Sequence, residues 1–174
     1  RVVLDGKPLD EYATPFGIRT IRFDVDRGFF LNERPQKILG TCNHLDFAGV
    51  GVGMPDNLQI WRIAKLKEMG SNAWRCSHNP PSNEFLDACD RMGILVMDEN
   101  RHLGTDSGRR NNQIPDLIVA NFDELHSMLR RDRNHPSIVL WSLANEEPHY
   151  PSTIRNYKAL KDRKSTRLNS SHAN

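Results

Sequence analysis

The sequence lacks any apolar run near the ~20 residues that a membrane-spanning helix needs, and it has only three cysteines in 174 residues. These three, Cys42, Cys76 and Cys89, are an odd number at no framework spacing, which argues against a small secreted domain stapled by disulfides. A formal net charge of +2 is too small to favour a nucleic acid or membrane partner. The remaining composition, 37% apolar and 26% charged, is typical of a globular domain with its own core.

Residues 162–174 differ sharply from the rest of the chain. They read DRKSTRLNSSHAN, with no periodicity and almost no apolar content. Residues 162–172 match the in-frame translation of a common sequencing-adapter oligonucleotide; the alternative is a natural polar linker. We therefore expect a disordered tail foreign to the protein, with the natural reading frame cut near Lys161. Residue 1 is not Met, so the lack of a signal-peptide pattern leaves the localisation open.

Residues 1–36 have the pattern of β-strands. Ile21, Phe23 and Val25 alternate with charged residues, which predicts a strand with one buried face. A turn at residues 26–28 separates it from a second strand, and a further turn is expected at residues 32–35, which include Glu33.

From residue 37 onward, strands alternate with helices, which predicts a parallel sheet. Strands are expected at residues 37–42, 72–76, 94–97 and 137–142, and helices from residue 56, after Ser82, at 116–131 and at 152–160. Asp56, with Gln59 at the third position, is the expected N-terminal cap of the first helix, and Ser82 is that of the second. Gly70 and Gly93 are expected to end these two helices. The buried faces of the first two helices are predicted to contain Ile60, Ile63, Leu66, Met69, Phe85, Leu86, Cys89 and Met92.

Residues 132–146 (DRNHPSIVLWSLANE) carry the most informative pattern. An Asn-His-Pro corner leads into the unbroken apolar run 138–141, which is typical of a strand covered on both faces. Asn145 and Glu146 follow the strand. This stretch resembles the acid/base motif of glycoside hydrolase family 2, the family of β-galactosidases, β-glucuronidases and β-mannosidases. The resemblance implies that Glu146 is the general acid/base and that Asn145 binds the sugar beside it.

The position of Glu146 suits this chemistry. Cleavage of a glycosidic bond needs a proton donor for the leaving oxygen and a second carboxylate at the anomeric carbon. Partial burial beside Trp141 would help to keep the donor protonated near neutral pH. From the residues alone, an Asn-Glu pair is more often a helix cap, and it is the family motif that favours catalysis.

Two histidines, His44 and His78, follow two different predicted strands, and strand ends of a barrel converge on one pocket. Residues 72–80 (NAWRCSHNP) resemble a second motif of the same family, with Asn79 in place of the usual Tyr. The resemblance implies that both histidines bind sugar hydroxyls and that Arg75 orients the catalytic carboxylates. From the residues alone, each histidine could simply bond a loop, and Arg75 could form an ion pair in the core.

Asp98 and Glu99 follow the third predicted strand. They could act as a pair that raises one pKa, or either could pair with Arg75. The resemblance implies that they support the site and that neither is the nucleophile. Some β-galactosidases bind a divalent cation through Glu-x-His after this strand; residues 98–102 (DENRH) lack that motif, so no cofactor is expected.

The Cys-x-His units at residues 42–44 and 76–78 allow a different metal hypothesis, a Cys₂His₂ zinc site. Cys and His two apart share one face of a strand. Zinc pairs normally lie on turns at Cys-x₂₋₄-Cys spacing, which makes this the weaker alternative.

The resemblance covers about residues 14–161 and implies an α/β fold. Residues 37–161 would form the N-terminal half of a (β/α)₈ TIM barrel, preceded at residues 1–36 by the end of an immunoglobulin-like sandwich. The nucleophile of the family would lie beyond residue 174. We therefore expect a glycosidase parent, and a 174-residue chain that is inactive alone and associates through open edge strands.

Residues 44–51 (HLDFAGVG) are more similar to the galactosidase branch than to the glucuronidase branch. Terminal β-D-galactosides or related oligosaccharides are therefore the expected substrates, cleaved with retention by two carboxylates. β-Glucuronidase, β-mannosidase and a non-catalytic carbohydrate-binding protein on a degraded barrel are the alternatives. A homo-oligomeric parent is left open.

Overall fold

The computed structural model describes residues 2–100, 125–143, 145, 157 and 158. The strands are β1 (Val2–Leu4), β2 (Lys7–Asp10), β3 (Ile21–Asp24), β4 (Gly28–Leu31), β5 (Arg34–Gln36), β6 (Gly40–His44), β7 (Ala73–Ser77), β8 (Leu95–Glu99) and β9 (Ile138–Ser142). The helices are α1 (Asp56–Glu68), α2 (Asn83–Met92) and α3, described over residues 125–132. Within these ranges no helix is long and apolar enough to cross a membrane.

The N-terminal part consists of strands, as predicted, and they pair antiparallel in a β1–β2 hairpin and a three-stranded sheet β3–β4–β5. The turn expected at residues 32–35 is shorter than predicted, because Arg34 and Pro35 belong to β5. The buried face expected for residues 21–25 is only partly right. Ile21 is buried, but Val25 is exposed, and Phe23 is exposed as well although its ring lies 5.0 Å from that of Phe29. The reason is that β3 ends at Asp24, so that Val25 belongs to the turn and not to the pleated surface.

The second part is a parallel sheet in the order β6-β7-β8-β9, which confirms the predicted strand–helix alternation. Three of these strands end one or two residues later than expected, at His44, Ser77 and Glu99. The prediction ended each strand before the pair of polar residues that follows it. Main-chain pairing in a parallel ladder does not require apolar side chains, so the ladder extends to the polar positions.

The main core lies between this sheet and the first two helices. It contains Trp74 and Val96 from the strands and Ile63, Phe85 and Leu86 from the helices, all buried. The rings of Trp74 and Phe85 are 4.9 Å apart. Full burial of each large apolar side chain contributes about 1.5–3 kcal/mol, so this contact layer fixes how the helices sit behind the strands.

The termini of α2 agree with the sequence prediction. The Ser82 hydroxyl accepts a hydrogen bond from the Phe85 N–H at 3.2 Å, which satisfies one of the free donors of the first turn. Gly93 closes the helix in the left-handed region at φ 69°, a conformation that disfavours a side chain. The predicted inward residues Phe85, Leu86 and Cys89 are buried.

The prediction for α1 was less accurate. Pro55 is the residue at the N-cap, and Asp56 is already helical, so its side chain makes no cap. Ile60 and Met69 are exposed, because the buried stripe of α1 is narrow and contains Gln59 and Ile63. The start of the predicted third helix, the loop before it and most of residues 152–160 lie outside the described residues.

Candidate functional site

The C-terminal edge of the parallel sheet gathers the polar side chains that follow the strands. Parallel strands end on the same side, so side chains from consecutive strand ends converge there. His44, Ser77, Glu99 and Ser142 are the last residues of β6, β7, β8 and β9. The register pairs His44 with Ser77 and Glu99 with Ser142, which places all four ends at one level.

Glu99 is the centre of this cluster. Its side chain is fully buried, and Oε2 accepts hydrogen bonds from Arg75 Nε and Ser142 Oγ, both at 2.8 Å. Its other oxygen, Oε1, lies 2.6 Å from His78 Nδ1, whose N–H donates. A buried carboxylate is tolerated only when it is paired and hydrogen-bonded, and Glu99 meets both conditions. Of the two core partners considered for Arg75, the structure shows Glu99.

Arg75 connects this centre to the segment after β9. Its Nη2 donates to Asn145 Oδ1 at 2.7 Å while also lying 2.8 Å from Glu99 Oε2. The planar guanidinium can hold two acceptors in fixed directions, which a lysine cannot do. Asn145 is therefore tied to the edge of the sheet beside His78. Glu146, the predicted acid/base, lies outside the described residues.

The two predicted histidines come together. The rings of His44 and His78 are 5.1 Å apart and nearly perpendicular. His78 is oriented by Glu99, and the carbonyl oxygen of His44 accepts a hydrogen bond from Arg62 Nη2 at 2.9 Å. Sequence reasoning did not single out Arg62; a charged residue on the helix that follows a site strand was the available signal.

Asp98 does not join this cluster, contrary to the idea that Asp98 and Glu99 act as a pair. Consecutive side chains of a strand point to opposite faces, so Asp98 faces the helices while Glu99 faces the other way. Asp98 is fully buried, and its carboxyl group lies beside that of Asp132. Burial, with the nearby Asp132 carboxyl as the second cause, raises the pKa of Asp98 to about 8.

The register of β6 against β7 excludes the Cys₂His₂ zinc site considered for the two Cys-x-His units. Cys42 pairs with Arg75 in the ladder, one residue away from Cys76, so the two cysteines point to opposite faces. The Cys42 thiol contacts the Ser77 hydroxyl, whereas Cys76 is buried in the helix-facing core. Among the described residues, no three donor atoms of the two Cys-x-His units lie within 4.8 Å of one another.

A different acidic group explains part of the 132–146 motif. His135 Nδ1 lies 2.7 Å from Asp90 Oδ2, and Asp90 Oδ1 accepts from the Ser137 N–H at 2.9 Å. The hydrogen bond that His135 donates to Asp90 raises the pKa of His135, which favours the charged pair. Asp87 Oδ1 is 3.8 Å from the same ring nitrogen. These contacts fasten the Asn-His-Pro corner to α2 and so position the start of β9.

Comparison with known proteins identifies the family of this arrangement. Residues 24–172 match the family model described as "Glycosyl hydrolases family 2, TIM barrel domain". Beta-galactosidase BoGH2A of Bacteroides ovatus is 42% identical over 151 residues, which is 84% of this chain and 17% of that protein. A putative beta-glucuronidase of Formosa agariphila is 40% identical over 150 residues, covering 83% of this chain and 14% of that protein.

Solved structures agree. A beta-glycosidase from Bacteroides vulgatus superposes with a TM-score of 0.78 at 36% identity, over 91% of this chain and 20% of that chain. A β-glucuronidase from Ruminococcus gnavus, in complex with D-glucuronic acid, superposes with a TM-score of 0.76 at 31% identity, over 91% and 27%. This chain thus spans under a fifth of the length of the curated relatives named above. It belongs to glycosyl hydrolase family 2, and its parallel sheet and helices are part of the TIM barrel domain of that family.

Proposed function

We propose that this chain is the N-terminal half of the catalytic barrel of a retaining β-glycosidase, with Glu146 as the general acid/base. Asn145, His44 and His78 bind the sugar, and Arg75 and Glu99 support them. Residues 1–36 end an immunoglobulin-like sandwich, residues 37–161 form the half-barrel, and residues 162–174 are a foreign tail. The nucleophile lies on a later strand beyond this chain.

The contact between Arg75 and Asn145 carries this proposal. At 2.7 Å it ties the residue next to Glu146 to the buried Glu99, and thereby to His78. A helix cap at residues 145–146 would not need an arginine from two strands away. The arrangement supports a site at the strand ends in which groups are held by partners that are themselves fixed, as catalysis requires.

The proposed chemistry follows from these positions. Glu146 donates its proton to the glycosidic oxygen as the bond to the anomeric carbon breaks, and the missing carboxylate forms the glycosyl-enzyme. Glu146 then removes a proton from the water that releases the sugar with its configuration retained. Asn145 bonds the sugar 2-hydroxyl, a contact that strengthens in the transition state. His44 and His78 present ring nitrogens to other hydroxyls.

Terminal β-D-galactosides are the proposed substrates. The motivation is the 44–51 segment, and the relative from Bacteroides ovatus is named a beta-galactosidase. β-Glucuronides are the second candidate, because the relatives from Formosa agariphila and Ruminococcus gnavus are named glucuronidases. The complete enzyme should show a higher kcat/KM for an aryl β-galactoside than for the aryl glucuronide or mannoside. A preference for the glucuronide would refute the galactosidase assignment alone.

Glu146→Gln in the complete enzyme tests the acid role. General acid catalysis contributes about 10²–10⁴-fold, so cleavage of an alkyl or phenyl glycoside should fall by that factor. Dinitrophenyl glycosides need little protonation of the leaving oxygen, so their glycosylation rate should fall much less. Glu147→Gln, which removes the adjacent carboxylate, is the matched control and should retain the native rates. Equal losses for both leaving groups would refute the assignment.

The 174-residue chain alone should hydrolyse no aryl glycoside above background, because it supplies one of the two carboxylates. It should also associate, since β6 and β9 are the edges of the described parallel sheet and leave main-chain groups unpaired. Size-exclusion chromatography and a fluorogenic assay measure both properties. Steady turnover that depends on Glu146 would show that a second carboxylate of this chain acts as nucleophile.

A further inference from the structure

We propose that Arg62 is a positioning residue for His44 and so sets how tightly the enzyme holds its sugar. The inference rests on the proposed function, because it takes His44 as a sugar contact. Arg62 lies on α1, behind the strand ends, and reaches the site through the main chain of His44.

The hydrogen bond from Arg62 to His44 lies at the end of the β6–β7 ladder. His44 and Ser77 are the last pair of the β6–β7 ladder. The carbonyl of His44 accepts from Arg62 Nη2 at 2.9 Å, a bond to a charged donor and therefore stronger than a neutral one. The next residue of α1, Ile63, is fully buried in the core, so the donor is carried by a fixed element.

The Arg62 guanidinium contacts the β6–α1 loop at three points. At the start of the loop it bonds the carbonyl of His44, and at the end its Nη1 lies 3.6 Å from the sulfur of Met54. In between, its Cζ lies 5.8 Å from the centroid of the Phe47 ring. Phe47 and Gly51 close a tight turn within the loop. The loop that begins at His44 therefore contacts a single cation at its start, in its middle and at its end.

The surroundings of Arg62, an aromatic ring and a carbonyl oxygen, suit an arginine side chain. The Arg62 Cζ lies 5.0 Å from the centroid of the buried Trp74 ring, a cation–π distance, while its Nη2 bonds the carbonyl of His44. Burial lowers the pKa of Arg62, and the charge of Asp46 acts against that shift. A planar guanidinium can lie over a ring and donate along fixed directions at once, whereas an ammonium is a point charge without a flat face.

The consequence concerns the two histidine rings. Glu99 holds His78 from one strand, and Arg62 holds the main chain of His44 from α1. The perpendicular rings, 5.1 Å apart, therefore keep a fixed relative position. Without Arg62, His44 and its loop move relative to His78, and sugar binding weakens. The protonation step, which depends on Glu146, is unaffected.

The test is a double-mutant cycle in the complete enzyme with an aryl β-glycoside. Arg62→Met should raise KM about tenfold, the factor at the lower end of what a hydrogen bond to a charged group contributes, with kcat within about twofold of native. His44→Ala should have a similar effect, and the double variant should be no worse than His44→Ala alone. Arg62→Lys should fall between native and Arg62→Met. Arg91→Met, at an exposed position in the last turn of α2, is the matched control and should leave KM unchanged.

The outcomes separate the two levels of the proposal. Native KM in Arg62→Met, or effects that add fully in the double variant, would overturn the positioning role while leaving the function standing. A native enzyme that cleaves no aryl β-glycoside would overturn the proposed function and this role with it. Should Arg62→Met not fold, Arg62→Lys decides: a raised KM at near-native kcat supports the role, and a native KM overturns it.

Discussion

Replacing Asp98 with Asn should flatten the pH dependence of folding stability. Asp98, on β8, is fully buried. Burial, with the nearby Asp132 carboxyl as the second cause, raises its pKa from 3.8 to about 8. The folded state therefore keeps this proton up to about pH 8, whereas the unfolded chain releases it near pH 3.8. The contribution of this proton to the free energy of unfolding is complete below pH 3.8. It decreases as the pH rises from 3.8 to about 8, because over this range the folded state binds more protons than the unfolded chain does.

The magnitude follows from linkage. One proton bound only by the folded state lowers the free energy of unfolding by about 1.4 kcal/mol per pH unit. Over the whole window of about four units, the upper limit is roughly 6 kcal/mol. An Asn side chain carries no charge at any pH and resembles the protonated carboxyl in size. Asp98→Asn should therefore be close to native in stability at pH 4 and more stable than native at pH 8.

Urea unfolding between pH 4 and 8 measures this difference, with the fluorescence of Trp74 and Trp141 on the flanking strands as the signal. The protein should carry its complete barrel, since we expect the 174-residue chain to associate. Asp26→Asn, in the exposed β3–β4 turn, is the control and should follow the native curve. If Asp98→Asn and native protein show the same slope with pH, the retained proton does not exist.

Three further outcomes are expected, each measurable by chemical or thermal unfolding of the same protein. Arg75→Met should cost about 3–5 kcal/mol, because it leaves the buried Glu99 without its cation; a loss under 1 kcal/mol would contradict this. Ser82→Ala should cost about 1 kcal/mol through loss of the Phe85 N–H cap, and an unchanged stability would show that water replaces it. Glu33→Gly should gain about 0.5–1 kcal/mol, because Glu33 holds a φ of 61° that disfavours a side chain; a loss would mean that the side chain makes a compensating contact.

Much of the fold was predictable because the relevant signals are local. Alternation of strands and helices, the Ser82 cap and the Gly93 terminator all depend on residues close in sequence, and all were found. The errors arose where a boundary depends on a partner. β8 extends to Glu99 because the adjacent strand offers main-chain groups there, and Ile60 is exposed because nothing in the described parts packs over that side of α1.

The site shows the same division. The motif at residues 72–80 and the rule that parallel strands end on one side predict that His44, His78 and Arg75 lie close together, and the structure brings them together. The sequence leaves the zinc alternative open, because spacing within a strand says nothing about register between strands. A shift of one residue was enough to send Cys42 and Cys76 to opposite faces.

Local patterns and motifs are enough to establish the family, the order of strands and helices, and which polar residues stand at strand ends. Three sets of partners become visible only in the folded chain: Arg75 with Glu99 and Asn145, Asp98 with Asp132, and Arg62 with the carbonyl of His44. Such partners come from different strands and helices. Their choice depends on register and on how helices pack against the sheet, and neither is encoded in any one segment.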